Sequence, residues 1–350
     1  MTAVLTRQAF GAEFVGANGF LNSPTYGLPP RFVVDALQDC IGQWQSGTME
    51  VPLFDNYVRD GRAGYAALAG VPVDSVAMGG TVSAVLGLVA AAVPDGSRVV
   101  TLEGEFTSTT FPFAAHAGRG VTVTEMPADE LVNRAGEFDV VTVSLVQSAN
   151  GAVLDTEALR QNVVGSDTLT VIDITQALGW KRVDVSWADV TAAAVYKWLL
   201  APRGTAWISL SDRVRRITTP HAANWYAGED PWQTIYGLPL RLAGDARRFD
   251  ASPTWFSVLG AGLSLPWLAS LDAADVEAHA LRLARRVRTE LQLPQQDSAI
   301  VSIPIADAAE RLTRAGIRAS VRAGAVRVGF HLYNTDDDVD RLLEALGDNG

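Results

Sequence analysis

Between Val71 and Leu210 the chain repeats one pattern: a short apolar, β-branched run, a turn, then apolar residues at helical spacing. The runs fall at residues 75–78, 98–102, 121–125, 139–145, 169–172, 192–195 and 205–208. Helical patterns between them include 81–93, 108–117 and 156–164. Runs this short and this apolar have no face to leave in water, which is the mark of strands covered on both sides. Alternating strands and helices with right-handed crossovers leave few topologies open. The expected class is therefore α/β, with a mostly parallel seven-stranded sheet and helices on both faces.

After Asp212 the pattern changes. Residues 213–244 are loop-rich and dense in Trp, Tyr and Pro, and 253–271 and 276–291 read as helices. The remainder alternates a strand at 299–305, a helix through Ala315, strands at 317–321 and 326–330, and a last helix at 336–346. This predicts a smaller α+β domain over 246–350, following a large domain over 31–245. Residues 1–30 read as irregular, because FLNSPTYGLPP is interrupted by three prolines. Pro29 and Pro30 stand where a helix would begin, and RFVVDALQDCIGQW continues at helical spacing with Cys40 as a core residue.

Composition narrows the function classes. A net charge of −11 disfavours a nucleic-acid or anionic-membrane binder, which needs a basic face. The single cysteine rules out an internal disulfide and a cysteine-rich zinc site, and the four histidines form no ligand-spaced pair. No apolar stretch reaches the ~20 residues of a membrane span. The first ten residues lack a basic segment followed by an apolar core, so a cytoplasmic protein is expected. Acids at 336–338 lack the glycine and ligand alternation of a calcium loop, and read as helix-dipole chemistry with Thr335 as N-cap.

Two strand ends carry candidate chemistry. Asp173 closes one run, with Gln176 three residues on, and Tyr196 and Lys197 close the next. Ligands of open α/β sheets gather at the carboxyl ends of strands. An acid and a lysine 24 residues apart at that edge suit pyridoxal phosphate. That cofactor takes a lysine as Schiff base on its aldehyde and a carboxylate against its pyridine nitrogen. A strand-end Asp and Lys also fit a solvated rim pair, so the neighbouring runs must decide between the two. Met78–Val85, MGGTVSAV, turns from strand to helix through two glycines and a threonine, a seat for a phosphate that is neither a dinucleotide nor a P-loop fingerprint. Phe106 follows the next strand and could stack on a planar ring, whereas Phe111 and Phe113 are expected to face the core. Gln147, Ser148 and Asn150 add short polar groups at the same edge.

With these residues in view, the chain resembles the class V aminotransferase group of fold-type I pyridoxal-phosphate enzymes, which includes cysteine desulfurases, kynureninases and isopenicillin-epimerase-like proteins. The resemblance runs from FLNSPTYG to YNTDDDVDRLL and rests most on DITQALG, YKWLLAPRG and VRVGFHLYNTDDDVDRL. It implies that Lys197 forms the Schiff base and shuttles protons, that Asp173 pairs with the pyridinium nitrogen, and that Gln176 bonds the ring hydroxyl. Phe106 would stack on the ring. Gly80, Thr81 and Val82 would hold the phosphate, with Tyr196 as a further contact. Arg327 would receive the substrate carboxylate through its guanidinium fork, and Tyr26 and Trp225 complete the candidate substrate set. The group is typically homodimeric, with an active site completed by the neighbouring subunit.

Departures from the group are as informative. The loop that bears the desulfurase cysteine is reduced to VRAGAVRVGF, without a cysteine. Ser148 replaces an asparagine, Val195 a hydroxyl residue, and RRFDASPTW puts Pro253 where an inter-subunit threonine contact is expected, with Ser252 or Thr254 as substitutes. The reading is an enzyme acting at Cα or Cβ of an α-amino acid, foremost a C–S β-lyase on an S-substituted cysteine. Amino-acid epimerisation and transamination are alternatives, and a silent dimeric binding protein is the non-enzyme rival.

Overall fold

The structure is a computed structural model describing residues 6–347. It opens with a hairpin of β1 (Thr6–Ala9) and β2 (Ala12–Val15), where the sequence reading expected irregular chain. Phe10 and Gly11 both take positive φ in its two-residue turn, a geometry that Phe-Gly does not advertise. Helix α1 (Arg31–Ser46) begins just after Pro30, as the paired prolines imply, and ends at Gly47 in the left-handed conformation. Helix α2 (Phe54–Ala69) has no counterpart in the sequence reading.

All seven expected runs are strands: β3 (Val76–Gly79), β4 (Arg98–Leu102), β5 (Thr122–Met126), β6 (Val140–Ser144), β7 (Leu169–Asp173), β8 (Val190–Ala194) and β9 (Ala206–Leu210). Between them run α3 (Val82–Ala92), α4 (Thr107–Ala114), α5 (Ala128–Arg134) and α6 (Thr156–Val163). The sheet order is β3-β9-β8-β7-β6-β4-β5, and only β9 is antiparallel to its neighbours. Six strands therefore present their carboxyl ends at one edge. One face packs Val171, Ala192 and Ile208 against Leu86 and Val89 of α3; the other packs Ile172, Ala193 and Trp207 against Tyr65 of α2. Each fully buried aliphatic side chain contributes about 1.5–3 kcal/mol.

The chain continues through α7 (Asp212–Ile217), α8 (Trp255–Ser270) and α9 (Ala273–Glu290) to a three-stranded antiparallel sheet of β10 (Ile300–Ile303), β11 (Ser320–Arg322) and β12 (Ala325–Gly329). Helices α10 (Ala308–Arg314) and α11 (Asp336–Gly347) close this second core over β12. Helix α8 lies along α2 and α1, although it follows the boundary expected at 245/246. The α2–α8 approach is close: a Cβ at Gly64 would lie 2.7 Å from the Leu265 Cβ. No single helix among the described residues is long and apolar enough to cross a membrane.

Two local expectations are corrected. Phe113 is buried, but Phe111 is 65% exposed. The Thr335 hydroxyl caps nothing, and it has no hydrogen-bond partner. Asp338 does the work instead: its fully buried carboxylate accepts from Thr335 N, Asn334 Nδ2 and Gly19 N, and pairs with Arg7. An acid three residues into the helix reaching back to its start is a capping arrangement, here shared with the N-terminal hairpin.

Candidate active site

At the carboxyl edge of the large sheet, one cavity is lined by Gly80, Thr81 and Val82 after β3, Phe106 after β4, Ser148 after β6, Asp173 at the end of β7 with Gln176 just after it, and Tyr196 and Lys197 after β8. Nine residues from five separate parts of the sequence thus meet at the strand ends, because neighbouring parallel strands deliver their following loops side by side.

The acid and the lysine are both inside the protein, not on a solvated rim. Asp173 ends β7 with its carboxylate 5% exposed, and its Oδ1 accepts from Thr175 N at 2.7 Å. Thr109 Oγ1 approaches Oδ2 at 3.5 Å. Burial pushes the Asp173 carboxyl up from its ordinary value, against the Thr175 bonds and the charge of Lys197. Lys197 is 6% exposed. Its Nζ lies 5.3 Å from the Phe106 ring centre and 5.8 Å from that of Tyr196, and no carboxylate stands within 4 Å among the described residues. Burial lowers its pKa to about 8, with Asp173 opposing and the cations Arg327, Arg322 and Arg203 reinforcing. A buried amine near neutrality facing a buried acid, with nothing bonded to it, is the donor set that a cofactor aldehyde and ring nitrogen require.

The turn carrying Lys197 is held from several sides. Gln176 Oε1 accepts from Trp198 Nε1 at 2.8 Å, while its Nε2 donates to Pro24 O and Ser148 Oγ. His331 Nδ1 accepts from Leu332 N, so its Nε2 carries the proton and donates to the Trp198 carbonyl. Burial lowers the His331 pKa to about 3, and the ring stays neutral. Gly27 N donates to Tyr196 O at 2.9 Å. A Cβ at Gly27 would fall 2.0 Å from the Lys197 carbonyl oxygen, so no side chain fits there. Gly27→Ala is expected to displace this turn at a cost of about 1–3 kcal/mol, read as weaker cofactor binding in an absorbance titration. Unchanged affinity would show that the turn tolerates the shift.

The turn expected to seat a phosphate lines the cavity at the start of α3. Thr81 Oγ1 accepts from Ala84 N at 3.1 Å, and the N–H groups of Val82 and Ser83 have no intrahelical acceptor. Thr254, considered as a substitute donor, is turned to Thr205 Oγ1 and the Gly204 carbonyl.

Arg327, Tyr26 and Trp225 do not line this cavity. Arg327, central in the small sheet, is one side chain away: its Nη1 donates to Ser148 Oγ at 3.1 Å, and its Nη2 to Thr25 Oγ1 and Ser320 Oγ. Tyr26 neighbours Thr25 and packs edge-on to Phe20, half exposed. Trp225 sits among Tyr226 and Trp232 in the 213–244 loop region.

Several contributors escaped the sequence reading. Glu105, 7% exposed, accepts from Ser144 N, Ser144 Oγ, Gln147 Nε2 and Phe106 N, which ties the ends of β4 and β6 together. Burial raises its pKa, opposed by the Ser144 bonds. Thr175 had a legible signal, since an Asp whose carboxylate accepts from the backbone N–H two residues on is an ordinary local motif. Arg203, which also lines the cavity, had none.

A mostly parallel seven-stranded sheet with a buried Asp–Lys pair at its carboxyl edge defines a fold-type I pyridoxal-phosphate enzyme. Residues 76–311 match the family model for aminotransferase class V, and the chain belongs to that family. An aminotransferase of Bacillus subtilis, YcbU, is 24% identical over 81% of each chain. Isopenicillin N epimerase of Amycolatopsis lactamdurans is 25% identical over 93% of this chain and 94% of its own. Among solved structures, the cystine C–S lyase C-DES, bound to its product cysteine persulfide, superimposes with a TM-score of 0.81 at 18% identity, over 95% of this chain and 98% of that one.

Proposed function

We propose that this enzyme is a C–S β-lyase that converts an S-substituted cysteine and water to pyruvate, ammonia and a thiol. The observation that carries the reading is the base inventory of the cavity: among its lining residues Lys197 is the only amine, and there is no cysteine. Cys40, the thiol a desulfurase would need, is buried in α1 beside Met49. One base on one face suffices to take the Cα proton and let a β-sulfur depart. Epimerisation needs a proton returned to the other face, and stands second because of the epimerase relative.

When bound, pyridoxal phosphate supplies a protonated ring that draws electrons from Cα. The chain's residues do the rest. Asp173 holds the ring nitrogen proton, Gln176 and Ser148 bond the ring hydroxyl side, and Phe106 covers one ring face. Gly80, Thr81, Val82 and Tyr196 take the phosphate. Lys197 moves the Cα proton at Nζ, and Arg327 takes the α-carboxylate; Tyr26 and Trp225, outside the cavity lining, remain candidates for the substrate side. Arg327 suits that role because it is 1% exposed, its Nε is unbonded, and every hydrogen-bond partner among the described residues is neutral. A buried guanidinium left without a counter-charge favours binding an anion. Highly exposed Tyr236 and Leu238 support a homodimer, and the lone cysteine accords with a reducing, cytoplasmic setting.

Proton NMR in deuterated buffer, with cofactor-loaded protein and S-substituted cysteines, tests the reaction. Pyruvate with released thiol is the expected result. Deuterium at Cα of otherwise intact substrate would replace the lyase reading with epimerisation. Arg327→Ala should raise KM for α-carboxylate substrates by about 100-fold, the range for a buried charge-assisted pair, and leave cofactor absorbance unchanged. A parallel loss of cofactor would place this arginine in the cofactor site instead.

A further inference from the structure

The cavity contains one cation besides Lys197. It is Arg203, in the turn between Lys197 and β9. Its guanidinium stacks 5.1 Å from the Tyr196 ring centre and has no carboxylate or hydrogen-bond partner among the described residues. The turn beneath it is rigid. Ser257 Oγ donates to Pro202 O at 2.7 Å, Thr254 Oγ1 donates to Gly204 O at 3.0 Å, and Gly204 sits at φ +136°, which L side chains rarely adopt. An arginine base is thus fixed on one side of Tyr196, while Thr81, Val82 and Ser83 of α3 line the same cavity.

The phosphate seat is otherwise neutral. Thr81 and Ser83 bring hydroxyls and α3 brings its first N–H groups, which together offset only part of a dianion. Nearby positions that could add a donor do not. Val195 is fully buried and apolar, Pro253 has no N–H, and the Thr254 hydroxyl is turned to Gly204. We propose that Arg203, stacked on Tyr196, is the charged anchor of the cofactor phosphate. The guanidinium completes the seat with N–H donors and, among the described residues lining the cavity, the one formal positive charge besides Lys197, which is directed to the aldehyde. This rests on the cofactor of the family and not on the type of reaction.

The test compares pyridoxal phosphate with pyridoxal, which lacks the phosphate, on the full chain stripped of cofactor. Binding is read by absorbance and by borohydride trapping with mass spectrometry. Arg203 is exposed, so its replacement is not expected to unfold the protein. Arg203→Ala should weaken pyridoxal phosphate about 10- to 100-fold and pyridoxal by less than about twofold. Arg203→Lys should recover part of the difference, because it restores the charge but neither the fork nor the stacking on Tyr196. Equal weakening of both compounds would overturn the proposal and make Arg203 a support of the ring or the turn. Unchanged binding of both would overturn it too. So would intact cofactor affinity with a raised KM for substrates bearing a side-chain anion, which would assign Arg203 to the substrate. A wild-type chain that binds neither compound would refute the cofactor assignment itself, a separate failure.

Discussion

Replacing Lys197 by alanine should abolish the borohydride-stable link between protein and cofactor, while the full chain remains folded and still binds pyridoxal phosphate reversibly. The effect is all or none, because no other amine lines the cavity. Its pH dependence carries a second check. With a pKa of about 8, the amine is mostly protonated at pH 7, and capture requires the neutral form. The capture rate of the wild-type protein should therefore rise close to tenfold per pH unit up to about 8, then level off. An ordinary lysine would keep rising to above 10. The same shift acts on stability. Between about 8 and the ordinary value, the unfolded chain holds a proton that the folded chain has lost, so the contribution of this site to the cofactor-free protein rises with pH in that window. Below about 8 the buried ammonium bears its full desolvation penalty. A Lys197→Met protein should lack that slope. A link that persists in Lys197→Ala, or a capture rate without a break near pH 8, would refute the assignment.

What could be read from the sequence followed from periodicity and from strand ends. Every strand of the large sheet was visible, because a strand buried on both faces is written as a short, mostly apolar and β-branched run such as Val140–Ser144. Asp173, Lys197 and the Gly80–Val82 turn were legible because each directly follows such a run. Helix α2 was not, since FDNYVRDGRAGYAALA contains two glycines that weaken a helical reading. Those glycines are there for contact: Gly61 would meet Trp207 at 3.1 Å and Gly64 the α8 backbone at 2.8 Å. Nothing in a single chain shows that a distant helix will press there. The Glu105 network was hidden for a related reason. EGEF reads as a loop, and only the pairing of β4 beside β6 brings Ser144 onto its carboxylate. Arg327 came from resemblance, and its three hydroxyl partners, Thr25, Ser148 and Ser320, are 302, 179 and 7 residues away. Long-range polar partners carry no periodicity, so the sequence alone could not pair them.

The other large effect is expected far from the chemistry, at Arg62 of α2. Its guanidinium meets Asp250 at 2.5 Å, and both side chains are almost wholly buried. The pair secures the open edge of β3. Arg62 also donates to the Val76 carbonyl, Asp250 Oδ1 accepts from Met78 N at 2.8 Å, and Ala251 N donates to Met78 O at 2.8 Å. Residues 250 and 251 thus stand in for a missing neighbour strand just before the Gly80–Val82 turn. Burial still holds the Asp250 carboxyl above its ordinary value, with Arg62 pulling it back, so the desolvation penalty outweighs the attraction. Removing only the cation is then the worst change. Arg62→Leu should cost about 3–5 kcal/mol in denaturant unfolding and weaken pyridoxal phosphate binding through the loosened turn. With its counter-charge gone, Asp250 rises further. The unfolded chain then loses that proton at a lower pH than the folded one, so the deficit should grow as pH rises and shrink as the carboxyl becomes protonated. Adding Asp250→Asn to Arg62→Leu removes the stranded charge yet keeps an acceptor for Met78 N, and should recover most of the loss. A double variant no more stable than Arg62→Leu would mean that lost packing over Trp207, which Arg62 covers at 5.3 Å, sets the cost, and not the buried charge.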